Sequence, residues 1–482
     1  MAFDRNRLQV PAALLCSAVL FYFGTGNSPI TALTWIAPLP VLLLAPRVGG
    51  WTAAVVAFLA YLLGTANVWE FQLRSHDTPL WPIGVMIDAG CALVFAVAVW
   101  GFRYQVVRGR VLLGTITGPA LWAGLFYVVS VSNPMGLGGT FANTMGDVPL
   151  VLQTAAVTGM WGVEFVVLLV PSAVAALAHG ASRVRVAVVA GVVLLVTLGG
   201  GALRLGSSQG PVQRVAAVAT NQRVWAPDLA TPAGRDLVDG YVDQIAHLPD
   251  GVRTVVLPEQ SFGSTSAMPA ALVAPMSKVA VQSGIDIVVG FAYWAPNAKY
   301  NYALVFPARG GEPVVYLKHH DTVSPPGHEL VFPPVAGVRA GVEICLDVNL
   351  ANPTRDYAAA GAQLLLIPAS DEDDNGWQHS RTALLRGVEN GQPIVWSDRT
   401  GTLMISDGHG RVLADAHTGG PGPFTTVVAD LPTGPGATPY THLGDWFAWL
   451  CLVVALGGLV TTRVWGQNLP AATSATVTRA DL

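Results

Sequence analysis

Three residues of the chain have the types that nucleophilic catalysis needs, and each stands at the end of a short strand-like run. Glu259 follows the run VVLP, Lys318 closes the run VVYLK and Cys345 follows the run VEI. A cysteine attacks an acyl carbon as the thiolate, so it needs a base to take its proton and a cation to favour the charged form. A carboxylate and an ammonium supply both, and the ammonium also stabilises an oxyanion together with backbone N–H groups near Leu346.

Each of these residues also has a structural interpretation. Free cysteine usually behaves as a small buried hydrophobe, so Cys345 is also compatible with a place in the core. Taken singly, Glu259 and Lys318 are typical of solvated charges at strand ends. Because side chains at the strand ends of α/β proteins converge on a crevice, the chemical interpretation depends on the elements that position the three residues.

The segment from about residue 212 to 430 has the pattern of a soluble α/β domain. One helix is marked by its caps, with Asn352 at the N-cap, Pro353 at the first helical position and Gly361 at the stop. Strands interleaved with helices predict a layered α/β fold. The strand-like runs are 214–220, 254–259, 285–291, 301–307, 313–318, 338–345, 363–370 and 393–398.

The chain as a whole is too apolar for an ordinary soluble protein. Of the 482 residues, 52% are hydrophobic and 12% are charged, and the mean hydropathy is +0.49. About 20 apolar residues cross a bilayer, so the run 30–46, which contains Pro38 and Pro40, is the weakest candidate span. The candidate spans are 8–24, 30–46, 51–68, 79–101, 111–131, 150–178, 186–203 and, at the end of the chain, 446–462.

The distribution of Arg predicts the orientation, because Lys and Arg accumulate in short cytoplasmic loops. With the N-terminus inside, the short outside loops hold only Arg74, whereas the inside segments hold Arg5, Arg7, Arg47, Arg103, Arg108, Arg110, Arg183, Arg185 and Arg463. We therefore expect a membrane domain of about seven transmembrane helices over 1–211 and an extracytoplasmic catalytic domain over 212–432. A C-terminal transmembrane helix over 440–464 and a cytoplasmic tail over 465–482 follow.

From the sequence, neither a nucleic-acid partner nor a metal or cofactor is expected. The net charge of −4 comes from 26 basic and 30 acidic residues without a basic run, so no nucleic-acid partner is expected. The run HHD at 319–321 places consecutive side chains on opposite faces of a strand, which disfavours a metal site. No disulfide or zinc spacing joins the four cysteines, Cys16, Cys91, Cys345 and Cys451.

Three motifs in order resemble the signature of the nitrilase, or carbon-nitrogen hydrolase, superfamily. They are LPEQSF around Glu259, YLKHH around Lys318 and VEICLD around Cys345. The resemblance implies an α-β-β-α sandwich in which Glu is the base, Lys stabilises the oxyanion and Cys is the nucleophile. The expected fold is therefore a multi-span α-helical membrane bundle plus a nitrilase-like α/β domain.

Over nearly its full length the chain is similar to one membrane branch of that superfamily, the apolipoprotein N-acyltransferases. That resemblance implies a ping-pong reaction in which Cys345 accepts a fatty acyl group from a phospholipid and passes it to the N-terminal amine of a diacylglyceryl-modified lipoprotein. Glu259 would deprotonate first the thiol and then the amine, without a cofactor, at the bacterial inner membrane. The motifs are TGMWG at 158–162, YNYALVF at 300–306, GWQH at 376–379, RGVENGQPIV at 386–395 and TPYTHLGDW at 438–446.

The chain departs from the family pattern beside two of the three key residues. The family follows its nucleophile with Tyr-Glu, whereas this chain has Leu346 and Asp347. The family's second glutamate after the lysine is matched by Glu329 in PPGHE, later than usual. Between PAS and GWQH the chain carries the short acidic run DEDDN at 371–375. Asp347 and Glu329 are expected to orient the three catalytic residues.

Three further residues are candidates for substrate binding. Trp225 in NQRVWAPD resembles a tryptophan of the family near the first strand, and a half-buried core aromatic is the alternative. Glu164 and Asp88 lie within candidate spans, where charge usually faces a bundle interior. They either line a cavity through which lipid enters or pair with a neighbouring span.

Two other functions remain open at this stage. A membrane-anchored amidase or C–N hydrolase would use the same Glu-Lys-Cys triad and pass the acyl group to water. A transporter or binding protein would keep the soluble domain as an inactive scaffold, and the intact triad argues against it.

Overall fold

The computed structural model describes residues 5–75, 78–136, 138–179, 183–222, 224–335 and 337–466. A helical N-terminal part is followed by an α/β domain and a closing apolar helix. The polar tail expected over 465–482 lies outside the described residues from position 467 onward.

Apolar helices make up the first two hundred residues, and their aromatic side chains pack at the centre of the bundle. The rings of Trp122 and Phe141 stack with centroids 4.5 Å apart, and Phe95 meets Trp122 edge to face at 6.0 Å. The helices are α1 (Arg5–Gly24), α2 (Thr31–Thr34), α3 (Leu39–Leu44), α4 (Gly50–Gly64), α5 (Ala66–Arg74), α6 (Val85–Val106), α7 (Val111–Ser132), α8 (Phe141–Thr144), α9 (Pro149–Leu152), α10 (Ala155–Thr158), α11 (Met160–Leu177) and α12 (Arg183–Leu205).

Four helices within the described ranges are long and apolar enough to cross a membrane: Leu80–Val106, Val111–Ser132, Met160–Leu177 and Arg183–Leu205. A fifth is added if α4 and α5, which are bent by 50°, form one span. The shorter apolar helices are Leu8–Gly24, Thr31–Arg47, Pro149–Thr158 and Trp446–Val460. The count of about seven spans before the α/β domain stays a prediction.

The candidate span at 30–46 is broken into short pieces. After α2 and α3, residues Ala45–Arg47 form a single 3₁₀ turn. Pro38 caps α3 rather than lying inside a helix, because proline removes an N–H donor and clashes with the preceding turn. Pro40 lies in the first turn of α3, where a proline is tolerated, so the break falls before α3.

The α/β domain is built on two sheets. The first has the order β13-β1-β2-β4-β5-β6 with β3 beside β4, and the second has the order β12-β11-β10-β9-β8-β7. The strands are β1 (Val212–Thr220), β2 (Val252–Val256), β3 (Phe262–Ser264), β4 (Asp286–Trp294), β5 (Lys299–Phe306), β6 (Val314–Leu317), β7 (Pro334–Val335), β8 (Val338–Val342), β9 (Leu364–Ala369), β10 (Ile394–Asp398), β11 (Thr402–Ser406), β12 (Val412–His417) and β13 (Phe424–Pro432).

Helices cover the outer faces of both sheets, which gives the expected α-β-β-α sandwich. The side chains of β1 show the layering, since Val215 and Ala217 join the core between the sheets and Ala216 and Val218 join the core under two helices. The remaining helices are α13 (Pro232–Ala246) and α14 (Ala270–Ser283) on the first sheet, α15 (Thr354–Ala359) and α16 (Gly376–Asn390) on the second, and α17 (Pro439–Leu443) and α18 (Trp446–Gly466) at the end.

One predicted helix start is wrong by one residue. Helix α15 begins at Thr354 with Pro353 at its N-cap, whereas Asn352 was expected to cap it. The Asn352 carbonyl instead receives a hydrogen bond from His320 at 3.0 Å, so Asn352 is held by the loop after β6. The predicted stop is confirmed, because Gly361 adopts φ +83° directly after the helix.

Helix α16 joins the α/β domain to the apolar bundle. The Glu389 carboxylate accepts a hydrogen bond from the Met160 N–H at the start of α11, at 2.7 Å. Near the other end, Asn143 Nδ2 of α8 donates to Thr382 Oγ1 at 2.9 Å. The opposite face of α16 packs on β10 and β11. The helix therefore lies across the end of the bundle and supports the second sheet.

Candidate active site

The acid and the amine expected from the sequence form a buried ion pair. Lys318 Nζ lies 2.7 Å from Glu259 Oε1, and the side chains are 8% and 4% exposed. Asn301 Nδ2 donates to the same carboxylate oxygen at 2.5 Å. The Asn301 carbonyl also accepts a hydrogen bond from the Lys318 N–H at 3.0 Å, so β5 fixes the lysine as well as the glutamate. Three strands of the first sheet therefore converge on one carboxylate.

Glu259 is held between the two sheets by its backbone. It follows the end of β2, and its N–H donates to the carbonyl of Ala369 at the end of β9, at 3.0 Å. Gly290 of β4 lies directly beneath it, where a Cβ would overlap the Pro258 carbonyl and the Cα of Glu259. Only glycine leaves room for this approach.

Cys345 stands on a tight turn that begins directly after β8. Its φ is +44°, a left-handed conformation that non-glycine residues adopt at a cost of about 1–2 kcal/mol. The thiol is buried, and Sγ lies 3.8 Å from the Ser370 carbonyl at the end of β9. Burial raises the pKa of the Cys345 thiol well above its usual value, and the Glu259 carboxylate adds to this. The resting group is therefore the thiol, which needs a base.

Lys318 interacts electrostatically with both partners of the predicted triad. Burial alone lowers the pKa of Lys318, but the nearby Glu259 carboxylate overrides this and raises it above its usual value. Lys318 in turn opposes the rise in the pKa of Cys345, because its positive charge favours the thiolate. The lysine is therefore a permanent cation beside the sulfur.

Asp347, expected to be a supporting residue, anchors the turn that carries the thiol. Its Oδ2 accepts hydrogen bonds from the Ile344 N–H at 2.9 Å and from Tyr316 Oη at 2.8 Å. Its Oδ1 accepts from the His320 N–H at 2.7 Å. The carboxylate thus ties the nucleophile turn to the strand that ends in Lys318. Leu346 lies at the second position of the same turn and is half-buried.

Glu329 is not brought to the triad by any hydrogen bond or ion pair of its carboxylate in the described part of the chain. It is exposed, and only its backbone carbonyl makes a contact, with His319 Nε2 at 3.1 Å. Asp321 lies closer to the site, because its Oδ2 is 3.3 Å from Asn301 Nδ2. Burial alone would raise the pKa of Asp321, but Lys318 and two backbone N–H donors bring it below its usual value.

Trp225 stands at the surface beside the triad. Its side chain is 49% exposed, and the Arg399 guanidinium lies 4.2 Å above its ring centroid. Arg399 also donates to Ser370 Oγ at 2.7 Å, and the Ser370 carbonyl faces Cys345 Sγ. A chain of three contacts therefore joins this exposed aromatic ring to the nucleophile, and its role in substrate binding stays a prediction.

The left-handed non-glycine residues of the described chain cluster at this site. They are Ala226 at φ +38°, Gln260 at φ +48° and Cys345 at φ +44°. Ala226 follows Trp225, Gln260 follows Glu259, and the Ala226 N–H donates to the Gln260 carbonyl at 3.2 Å. Strained backbone of this kind persists only where surrounding structure enforces it, and it concentrates at functional sites.

A second polar pair lies beside the thiol and was not predicted from the sequence. His379 Nδ1 is 2.6 Å from Asp371 Oδ1, and ligand-type atoms of Cys345, Asp371 and His379 all lie within 4.8 Å of one another. The sequence signal was the GWQH motif, which was used only for the family resemblance.

These three residue types also bind zinc, so the cluster is where a metal would fit best within the described ranges. The hydrogen bond between His379 and Asp371 already joins two of the three groups. The run at 319–321 does not form a site of this kind, because the ring nitrogens of His319 and His320 face the backbone carbonyls of Glu329 and Asn352. The run lies after β6, which ends at Leu317, so the alternation of side chains expected for a strand does not apply to it.

Glu164 lies in the bundle, away from the triad's hydrogen bonds. Its carboxylate accepts from Trp122 Nε1 at 2.7 Å and from the Ala142 N–H at 2.7 Å. Asp88 likewise accepts from Trp69 Nε1 at 3.1 Å. Both acids pair with a neighbouring helix, which favours the structural interpretation of the two offered by the sequence.

A cleft of about 370 Å³ opens between the bundle and the end of the nucleophile turn. It is lined on one side by Tyr127 and Trp161 of the bundle and on the other by Leu350, which follows the turn, and by Arg386 of α16. Asp445, at the start of the closing helix, accepts a hydrogen bond from Trp161 Nε1 at 2.7 Å. The cleft is thus shared by the apolar helices and the segment that follows the catalytic turn, and the triad itself does not line it.

Comparison with known proteins gives two family matches on the two parts of the chain. Residues 214–435 match the carbon-nitrogen hydrolase family. Residues 17–173 match the apolipoprotein N-acyltransferase N-terminal domain. The helical part and the sandwich each have a recognised counterpart.

Two relatives align with this chain over nearly its full length. The apolipoprotein N-acyltransferase of Geobacter metallireducens is 25% identical and aligns over 91% of this chain and 92% of its own. That of Gloeobacter violaceus is 24% identical over 96% of this chain and 97% of its own. The glutamine-dependent NAD(+) synthetase of Xylella fastidiosa is 32% identical, but over 28% of each chain. With both domains matched and the relatives alike from end to end, this chain belongs to the apolipoprotein N-acyltransferase family of enzymes.

Proposed function

We propose that this enzyme transfers a fatty acyl group from a phospholipid, through a thioester on Cys345, to the N-terminal amine of a diacylglyceryl-modified lipoprotein. The observation that carries the proposal is the buried Lys318–Glu259 ion pair beside a cysteine on a strained turn, in a domain joined to apolar helices. The nucleophile, the base and the cation thus belong to a domain attached to apolar helices, and both substrates, the phospholipid and the lipoprotein, are anchored in the membrane by their lipid chains.

In the first half-reaction, Glu259 takes the proton of the Cys345 thiol and the sulfur attacks the ester carbonyl of the phospholipid. Lys318 faces the negative charge that develops on the carbonyl oxygen, together with backbone N–H groups at Leu346. The proton then passes from Glu259 to the departing alkoxide of the lysophospholipid, and the acyl group stays on sulfur.

In the second half-reaction, the amine attacks the thioester carbonyl and the thiol is regenerated. The buried position of the sulfur supports transfer rather than hydrolysis, because exclusion of water protects the thioester. The cleft beside the turn offers an approach for acyl chains from the bundle.

We further propose that the α/β domain stands on the extracytoplasmic face of the bacterial inner membrane, with the N-terminus inside. The Arg distribution supports this orientation, since Arg74 stands alone in the short outside loops. Trp69, Trp81 and Trp446 fit an interfacial belt near the outer boundary. Cysteine labelling from either side of sealed vesicles tests the orientation.

The decisive experiment is covalent labelling by a phospholipid with a tagged acyl chain. The wild-type protein should carry the tag as a hydroxylamine-sensitive thioester, and Cys345→Ala should fold and insert but carry none. Cys451→Ala removes another buried thiol, in α18, and should label like the wild type. If Cys345→Ala still carried the tag, Cys345 would not be the nucleophile.

A second arm separates transfer from hydrolysis. The labelled protein is mixed with a peptide that carries an N-terminal diacylglyceryl cysteine, and the tag is followed by mass spectrometry. Its appearance as an amide on the peptide supports acyl transfer. Its release as free fatty acid, with the peptide unchanged, supports the membrane-anchored hydrolase.

A further inference from the structure

Cys345 has a second polar neighbour besides the Glu259–Lys318 pair. The pair formed by Asp371 and His379 comes from the loop after β9 and the first turn of α16, whereas Glu259 and Lys318 come from the first sheet. Ligand-type atoms of Cys345, Asp371 and His379 lie within 4.8 Å of one another. The sulfur therefore has proton-accepting groups from both sheets around it.

The contacts of the imidazole define its tautomer. His379 Nδ1 lies 2.6 Å from Asp371 Oδ1, so Nδ1–H donates and Nε2 carries the free lone pair. Nε2 is buried and makes no hydrogen bond in the described structure, and the same holds for Asp371 Oδ2. A buried acceptor without a donor is costly, so this pair is arranged for a donor that arrives with the substrate.

The pair is held rigidly. The Asp371 N–H donates to Asp398 Oδ1 at 2.8 Å, and the Asp371 side chain is 3% exposed. The His379 ring meets the edge of Trp396 with centroids 4.9 Å apart. An imidazole oriented by a carboxylate, beside a nucleophile, has the arrangement of a general base.

Glu259 is less free to serve as the only acceptor. Lys318 and Asn301 both donate to its Oε1, so that oxygen already has two hydrogen-bond donors. An imidazole with a free lone pair is a common general base for proton transfer from an amine. The site thus contains two proton acceptors for a reaction with two proton transfers.

We propose that His379, oriented by Asp371, accepts the proton of the incoming amine in the second half-reaction. This inference rests on the proposed function. As the amine nitrogen forms its bond to the thioester carbonyl carbon, one N–H proton moves to His379 Nε2. The C–S bond then breaks with its electron pair on sulfur, and the same proton returns to Sγ, so that the products are the amide and the free thiol.

The test measures the two half-reactions separately in the full-length protein in detergent. His379→Gln and the wild type are loaded with a tagged phospholipid, the donor is removed, and the peptide with an N-terminal diacylglyceryl cysteine is added. Loading of His379→Gln should stay within a few-fold of the wild type, whereas its aminolysis should slow by about 100-fold or more. Asp371→Asn should slow aminolysis in the same selective way.

A matched control is His247→Gln, which removes the histidine of an exposed His–Asp pair, with Nδ1 3.3 Å from Asp243. Both of its half-reactions should match the wild type. The pH profile adds a readout that a merely structural role would not change, because the imidazole inflection in the wild-type aminolysis rate should be absent from His379→Gln.

Three results would overturn the inference. Aminolysis by His379→Gln within a few-fold of the wild type excludes the role, and equal losses in both half-reactions indicate a structural contribution only. Loss of wild-type aminolysis on addition of a chelator, restored by Zn²⁺, would assign the cluster as a metal centre. Failure of the wild type to form any thioester would instead refute the proposed function, so the two failures are distinguishable.

Discussion

Lys318 Nζ and Glu259 Oε1 lie 2.7 Å apart in a site almost closed to solvent. The two residues come from different strands of one sheet, and each is also bonded to Asn301. Desolvation of two charges is costly, and their attraction repays it only when both are present and hydrogen-bonded. The pair is therefore a condition for folding of the site as well as for its chemistry.

Lys318→Met should lower the free energy of unfolding by about 3–5 kcal/mol, because it leaves the Glu259 carboxylate buried without a cation. The double variant Glu259→Gln/Lys318→Met should lose less than the sum of the single losses. Denaturant unfolding of the wild type, Glu259→Gln, Lys318→Met and the double variant in detergent measures this difference. Additive losses would show that the pair is not coupled.

An exposed ion pair gives the control. Arg214 Nε lies 2.9 Å from Asp430 Oδ1, with side chains 42% and 60% exposed. Arg214→Ala should change the free energy of unfolding by less than about 1 kcal/mol, because solvent screens the interaction.

Asp347→Asn should loosen the turn that carries the thiol. An amide cannot accept all three hydrogen bonds, from Ile344, Tyr316 and His320, and its NH₂ would face a donor. We expect a loss of about 2–3 kcal/mol in the free energy of unfolding and slower thioester formation, measured by denaturation and rapid quench. Asp347→Glu introduces the residue of the family pattern. It keeps the carboxylate charge but lengthens the side chain by one methylene, so it separates the effect of charge from that of side-chain length. Full rates for Asp347→Asn would contradict the anchoring role.

Glu343 should make stability depend on pH. It is fully buried, and burial together with the Asp347 charge raises its pKa from 4.5 to about 8. The folded state therefore holds a proton that the unfolded state releases near pH 4.5. This contribution to stability is complete below about pH 4.5 and is lost as the pH rises through about 8.

Glu343→Gln keeps the shape and cannot ionise, so it should flatten this dependence. Thermal unfolding at about pH 5.5, 7 and 9 should show a smaller decline in stability with rising pH for the variant than for the wild type. Glu312→Gln, at an exposed position, is the control and should follow the wild type. Parallel declines for wild type and Glu343→Gln would exclude Glu343 as the source.

Trp225→Ala should reduce activity with little effect on folding. The ring is half-exposed and contributes about 0.5–1 kcal/mol through its contact with Arg399. Without the ring, the Arg399 guanidinium loses the contact that helps to hold it in its hydrogen bond with Ser370, whose carbonyl faces the thiol. We expect kcat/KM for the phospholipid to fall about tenfold, or about 1.4 kcal/mol. Trp225→Phe keeps an aromatic face and should retain most activity; equal losses in both variants would contradict this reading.

The sequence was informative about the triad because each member is fixed by its own strand. Glu259, Lys318 and Cys345 follow β2, β6 and β8, and strand ends meet at a common edge once the sheets pack. Asp347, two residues after the nucleophile, was identified instead by comparison with the family's motif. Their roles in catalysis stay predictions until the labelling experiment is done.

The remaining features depend on contacts between distant segments, which periodicity does not encode. Glu329 was chosen by its place in a motif, but the loop after β6 turns Asp321 toward Asn301 instead. The pairing of Asp371 with His379 requires the exact path of the acidic loop before α16. Glu164 was recognised as unusual in an apolar span, but its partners in α7 and α8 are visible only in the packed bundle.

Helix α16 touches the bundle with one face and carries His379, beside the thiol, in its first turn. A single helix therefore connects the apolar bundle with a direct neighbour of the reacting sulfur. Under the proposed function, an ester whose hydrocarbon tail lies among the apolar helices would reach the thiol along this helix.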